Sequence, residues 1–225
     1  MADDTGKLAI VKDNARRIIA ELPPGVILEA ASKTRSSEEV IAVIEAGVTR
    51  IGHNYVQEAE SMINAIGQKA KWHFIGHLQK NKVKKAARLF DMIETLDSLE
   101  LAVRLDAECL ALNKVMPVLI EVNSGREQAK SGVFPEDVES LVNSLKDLEN
   151  VRVEGLMTMG PFTGDPEDAR PFFVETKKIF DTLKTKQIPG ITMQYLSMGM
   201  SNSYRVAIEE GANIIRLGAI IFGPR

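Results

Sequence analysis

Eight short apolar runs, separated for the most part by amphipathic segments of helix length, constrain this chain more than any other feature. The runs lie at 26–32 (VILEAAS), 48–53 (VTRIGH), 71–76 (KWHFIG), 89–94 (LFDMIE), 115–122 (VMPVLIEV), 151–158 (VRVEGLMT), 192–197 (TMQYLS) and 213–218 (NIIRLG). Strands that are apolar without strict alternation are buried on both faces, as in a parallel sheet covered by helices. Helices are predicted at 36–47, 54–67, 79–87, 97–112, 135–148, 167–187 and 202–210. A further helix at 5–21 precedes the first strand, with Leu8, Val11, Ala15, Ile18 and Ile19 on one side and the PPG at 23–25 as its stop. Ser36 and Glu39 form a capping-box pair at the start of the next helix, and Gly47 ends it. Eight such units in 225 residues predict a single (β/α)8 barrel, an α/β fold spanning 1–225, with an extra N-terminal helix. A doubly wound open sheet is the alternative. VIEAGVTRIG at 43–52 is echoed by AIEEGANIIRLG at 207–218, as repeated βα units require.

Composition excludes several function classes. The formal net charge is -3, so bulk charge does not point to nucleic acid. No apolar run approaches the ~18 residues of a membrane span. The N-terminus lacks the apolar block of a secretory signal. One cysteine, Cys109, cannot pair within the chain and sits in a helical run. It reads as a small apolar packing residue, and a cytoplasmic setting is expected.

In a barrel of this kind chemistry gathers where the strands end and the βα loops begin. The first strand ends at Lys33, within LEAASKTR. There an amine is shielded from bulk water, and desolvation frees it as a nucleophile for Schiff-base formation. The bland alternative is a surface loop lysine. After the seventh strand, SMGMS at 197–201 sets small and hydroxyl residues before a helix. The eighth strand exits at Gly218 and Ala219, followed by a short apolar turn. Ser197, Met200, Ser201, Gly218 and Ala219 are therefore predicted to form a phosphate cup, with a plain tight turn as the equal alternative. Arg216 has the inward parity of Gly218, where its cation would keep a facing pyridine nitrogen unprotonated. A salt bridge to Glu121 is the alternative. Ile75 and Asn54 stand among the strand exits. The three histidines show no metal-ligand spacing, and the run KNKVKK at 80–85 reads as a solvated helix start. No P-loop, dinucleotide fingerprint or nucleophile elbow is present.

ASKTR at 31–35, IGHNYVQE at 51–58, WHFIGHLQKNK at 72–82, EQAKSG at 127–132, GLMTM at 155–159, LSMGMS at 196–201 and RLGAIIFG at 216–223 occur in the order of one known family. The chain resembles the pyridoxal phosphate homeostasis proteins, from about residue 5 to the C-terminus. That resemblance implies a barrel of the alanine-racemase N-terminal type that binds pyridoxal 5′-phosphate (PLP). Lys33 would form the covalent imine and Asn54 would lie near the ring. Ser201, Gly218 and Ala219 would hold the phosphate, and Arg216 would face the pyridine nitrogen. Two departures stand out: His53 replaces an acidic residue, and Ala219 replaces a threonine found in many members. Losing that hydroxyl removes at most one hydrogen bond, about 0.5–1.5 kcal/mol, and the Ala219 backbone N–H remains.

Racemisation needs a base on each face of the substrate. The eight units are expected to use the chain to Gly223, so no second domain is expected to supply one. Of Tyr55, Tyr195 and Tyr204, only Tyr55 is expected near the mouth. The sequence therefore predicts a non-catalytic PLP carrier or buffer, with PLP-dependent apoenzymes as recipients and a role in vitamin B6 and amino-acid balance. It is expected to act as a monomer, away from nucleic acid and membranes. A weak PLP-dependent racemase and a PLP-free Schiff-base aldolase are the alternatives. The segment 124–132 around Lys130 reads as a surface loop.

Overall fold

A computed structural model describes residues 2–160 and 164–224. Eight parallel strands close into a barrel in chain order. They are β1 (Ile27–Ala31), β2 (Arg50–His53), β3 (Lys71–Phe74), β4 (Met92–Leu96), β5 (Met116–Val122), β6 (Val151–Thr158), β7 (Ile191–Ser197) and β8 (Ile214–Leu217). The open-sheet alternative is thereby excluded, since β1 pairs with both β2 and β8. The extra N-terminal helix is α1 (Ala2–Glu21). Helices α2 (Ser37–Glu45), α3 (Val56–Ile66), α4 (Val83–Leu89), α5 (Leu99–Ala111), α6 (Val138–Ser144), α7 (Arg170–Thr185) and α8 (Tyr204–Glu209) alternate with the strands, and α9 (Ala219–Phe222) follows β8.

Local chemistry sets several boundaries. The Ser36 side chain accepts from Glu39 N–H and the Glu39 side chain accepts from Ser36 N–H, the reciprocal cap expected at α2. Gly47 adopts φ +110 after α2, and Gly211 adopts φ +94 in the matching place after α8. The sequence echo is therefore a shared helix-to-strand turn that only glycine takes without strain. Expected helices at 79 and 167 begin as 3-10 turns, Lys80–Lys82 and Pro166–Ala169, so α4 starts only at Val83 and α7 only at Arg170. The fourth strand starts three residues and ends two residues further along than its apolar run, because Phe90 N–H still bonds Ala86 O at the end of α4. The apolar turn after Gly218 is the single-turn helix α9.

Most of the core lies between the strands and the helices, around Trp72, Phe74, Phe90, Phe173, Ile51 and Leu105. Cys109 is buried there, in α5. Inside the barrel the apolar filling is small: Met92, Leu119 and Met157 cluster, with Tyr195 beside them. Much of the rest of that interior is polar, with Glu29, His73, Glu94, Ser197 and Arg216 all buried. Among the described residues no helix is long and apolar enough to cross a membrane.

Candidate functional site

Strand parity decides which side chains reach the barrel axis. A Cβ at Gly52 would sit 2.4 Å from Glu29 Oε1 and 2.7 Å from Ile75 Cδ1, so these three positions share the interior. Glu29, His73, Glu94, Ser197 and Arg216 occupy it, each buried. His73 Nδ1 lies 2.7 Å from Glu94 Oε1 and hydrogen-bonds it. Ser197 Oγ donates to Glu94 Oε2 at 2.6 Å and accepts from Arg216 Nη1 at 2.5 Å. Arg216 Nη2 donates to Thr158 O at 2.9 Å. The expected inward parity of Arg216 is present, and its partners are Ser197 and Thr158 rather than Glu121.

These contacts revise one expectation. Ser197 is no part of a solvent-facing cup: it is fully buried and its hydroxyl is engaged by Glu94 and Arg216. The serine ends β7 with its side chain toward the axis, whereas the cup would need it in the loop beyond. Met200 is half-buried, and its N–H is directed at Ser203 Oγ, 3.4 Å away.

Ser201, Gly218 and Ala219 do come together. The Ile220 N–H points at Ser201 Oγ, 3.4 Å away. Ala219 is exposed and opens α9, so its N–H has no partner within the helix. A Cβ at Gly218 would lie 3.3 Å from Ala31 O, which brings the exit of β8 against that of β1. Gly199 (φ +88) lets the preceding turn fold over α8, since a Cβ there would meet Ala207 at 2.6 Å.

Lys33 is half-buried two residues beyond Ala31. Its Nζ sits 4.9 Å from the centroid of the Tyr55 ring. Among the described residues it has no carboxylate within ion-pair distance, which leaves the amine uncommitted. A cavity of about 480 Å3 opens beside it, lined by Asn54, Tyr55, Gln57, Gly76, His77 and Lys82 among others. A second cavity of about 330 Å3 adjoins it, walled by Asn54, Ile75, Glu121, Asn123, Lys130 and Ser131 among others. Neither is lined by Ser201, Gly218 or Ala219, which lie on the β8 side of the β1 exit. Lys130 is paired with Glu127 at 2.6 Å.

Charge in the interior is strongly perturbed. Burial alone would lower the His73 pKa, but the facing Glu29 and Glu94 carboxyls raise it to about 9. Burial and the Glu94 charge raise Glu29 above its ordinary range. Burial works against the Glu94 carboxylate too, yet the hydrogen bond and charge of His73 hold its pKa below the usual range. Burial, with Asp97 nearby, pushes Glu121 up to about 7. The residues missed by sequence reasoning are thus Glu29, His73 and Glu94. The available signal was a charged side chain at inward parity within an apolar strand, which needs a partner. His53 faces the other way, buried against Trp72 with a ring separation of 5.9 Å. Its Nε2 lies 2.9 Å from Ser32 Oγ.

The Glu29, His73 and Glu94 donor atoms are close enough to suggest a metal centre. However, His73 Nδ1 is only 2.8 Å and 2.7 Å from the two carboxylate oxygens. Two ligands of one zinc-sized ion at ~2.1 Å would sit about 3.0–3.4 Å apart. The spacing is that of hydrogen bonds.

The family profile of the alanine racemase N-terminal domain matches residues 7–225 of this closed parallel barrel. Within that fold class, the chain belongs to the pyridoxal phosphate homeostasis protein family. It is 41% identical over 199 residues to the Pyridoxal phosphate homeostasis protein of Aquifex aeolicus (strain VF5), covering 88% of this chain and 86% of that one. The PipY structure of Synechococcus elongatus PCC7942 with PLP bound superposes with a TM-score of 0.87 at 30% identity, over 95% of this chain and all of that one. An alanine racemase from Corynebacterium glutamicum shares the fold alone, with a TM-score of 0.76 and 14% identity, over 97% of this chain and 61% of its own.

Proposed function

We propose that this protein binds PLP covalently through Lys33 and acts as a carrier or buffer of the cofactor rather than as a catalyst. The observation that carries the reading is the uncommitted Lys33 amine, placed at the same corner of the mouth as the Ser201, Gly218 and Ala219 rim. PLP supplies an aldehyde that condenses with a primary amine, and a phosphate that needs clustered donors. This chain's residues fit both demands. The Ala219 N–H and Ser201 hydroxyl are donors for an anion, and glycine at 218 keeps that rim open. Asn54, lining both cavities, is within the walls of the ring's space. Arg216, braced from below, presents a permanent cation that cannot give up its proton at neutral pH. The PLP-bound relative supports the same reading.

The carrier role rests on the tyrosines. Tyr55 lies on the Lys33 side of the mouth, 4.9 Å from its amine. Tyr195 is inside the barrel, where its hydroxyl accepts from Arg50 at 3.1 Å. Tyr204 is buried in α8. None opposes Lys33 as a second base, which a racemase requires. Borohydride reduction of the PLP-loaded protein followed by peptide mapping tests the covalent site, and the label is expected on Lys33. Incubation with single amino-acid enantiomers in deuterated water tests the carrier role. Sustained α-carbon exchange that disappears in Lys33→Ala would establish the racemase reading instead. A protein that stays colourless after PLP is added would remove the cofactor from the account.

A further inference from the structure

Donors and acceptors do not balance in the barrel interior unless one more proton is present. His73 Nδ1 carries a single N–H and faces two carboxyls. That N–H is directed at Glu94 Oε1, at 2.7 Å. Glu29 Oε2 lies 2.8 Å from the same nitrogen but off the N–H direction. Both Glu29 oxygens are buried without a hydrogen-bond donor. Arg50 and Arg216 stand in register with Glu29 on the two flanking strands. Neither guanidinium lies within ion-pair distance of Glu29: Arg216 turns to Ser197 and Thr158, and Arg50 turns to Tyr195. An ionised carboxylate with no donor in a dry interior is far costlier than a neutral acid. A proton on Glu29 resolves the count, because its O–H then donates to Glu94.

Glu94 becomes the hub of the interior. It accepts from His73 at one oxygen, from Ser197 at the other, and from Glu29. Because the only Ser197 hydroxyl hydrogen is used on Glu94, the serine's lone pairs are turned to Arg216. The direction of the guanidinium is thus set from Glu94 through one hydroxyl.

We propose that Glu29 is a neutral carboxylic acid sharing its proton with Glu94, and that Glu94, acting through Ser197, is the positioning residue for the Arg216 guanidinium. The first half stands on the interior alone. The second rests on the reading of Arg216 as part of the PLP site.

Infrared spectroscopy of the unliganded protein tests the first half. Glu121 is another buried carboxyl that burial pushes up, so Glu121→Gln is the background. One protonated-carboxyl band is expected at neutral pH, and adding Glu29→Gln should abolish it. No band, or a band that survives Glu29→Gln, overturns the assignment. Should the double variant fail to fold, carbon-13 NMR of glutamate-labelled wild type decides the same point. The Glu29 carboxyl carbon should show the protonated shift at neutral pH, and an ionised shift overturns the proposal. The second half is read from PLP affinity in Glu94→Gln and Ser197→Ala, each expected to weaken binding by about tenfold or more, the loss typical of a charge-assisted hydrogen bond. Glutamine at 94 has one acceptor oxygen for three donors. Variants that bind within twofold of wild type would refute the positioning role. If wild type itself takes up no PLP, the proposed function fails, while the infrared and NMR results still decide the proton.

Discussion

Replacing Arg216 with methionine gives the sharpest measure of how much the interior network contributes to the fold. The side chain is 4% exposed and donates two hydrogen bonds, to Ser197 Oγ and Thr158 O. Hydrogen bonds involving a charged group contribute about 1.5–3 kcal/mol each, and breaking a buried polar network by removing one partner costs about 3–5 kcal/mol. Methionine fills most of the aliphatic volume, so no large cavity offsets the comparison. Arg216→Met should therefore lose about 3–5 kcal/mol in urea unfolding at unchanged m-value. At about 2–4 °C per kcal/mol for a chain of this size, the Tm should fall by about 6–20 °C. A double-mutant cycle with Ser197→Ala isolates the pair, and a coupling of about 0.5–3 kcal/mol is expected for side chains in contact. A total loss below about 1 kcal/mol would refute the reasoning. The guanidinium would then be solvated in the mouth rather than bonded beneath it.

Three further outcomes can be measured. Gly155→Ala should abolish soluble folded protein, since Gly155 has φ +155 and an added Cβ would lie 1.8 Å from Tyr195 O, a backbone atom that cannot move without parting β6 from β7; normal circular dichroism in this variant would contradict the register. Lys33→Ala should leave urea stability within about 0.5 kcal/mol, because the amine holds no ion pair, while eliminating the borohydride-trapped label. Burial lowers the His53 pKa from 6.5 to about 4. The folded value lies below the unfolded one, so the stability that neutral His53 contributes is present above pH 6.5 and lost as pH falls through 4. The loss reaches about 3 kcal/mol at most, and the difference in acid stability between wild type and His53→Gln should show it.

The barrel was legible because its signal is spread over many residues. Eight apolar runs, two stop glycines and a capping box each report a local conformation, and each is repeated around one axis. Element edges were less legible where backbone hydrogen bonds outrun the apolar pattern. Phe90 is apolar enough to read as strand, yet its N–H closes the last turn of α4. The 3-10 entries at Lys80–Lys82 and Pro166–Ala169 read as helix because their side-chain spacing nearly matches it.

Site residues divided along a different line. The placement of Lys33, Gly218 and Ala219 at the barrel mouth was accessible to reading because each is defined by a strand exit. Ser197 was misassigned because the last residue of β7 turns its side chain to the axis, and its type alone does not separate that from the rim. The Glu29–His73–Glu94 group was missed because its meaning lies in contacts across three strands, and residue type does not say which carboxyl receives the imidazole proton. The same parity logic accounts for His53, where the resemblance implies an acidic residue. Gly52 faces the axis and His53 faces outward, under Trp72. An acid here would be buried beside the Ser32 hydroxyl, outside the interior network, so the change to histidine leaves the Glu29–Glu94 proton count untouched. What it alters is the wall behind Lys33. Ser32 Oγ bonds both Gly52 O and His53 Nε2, and a neutral imidazole holds that serine without adding a charge one residue from the amine proposed to take the cofactor.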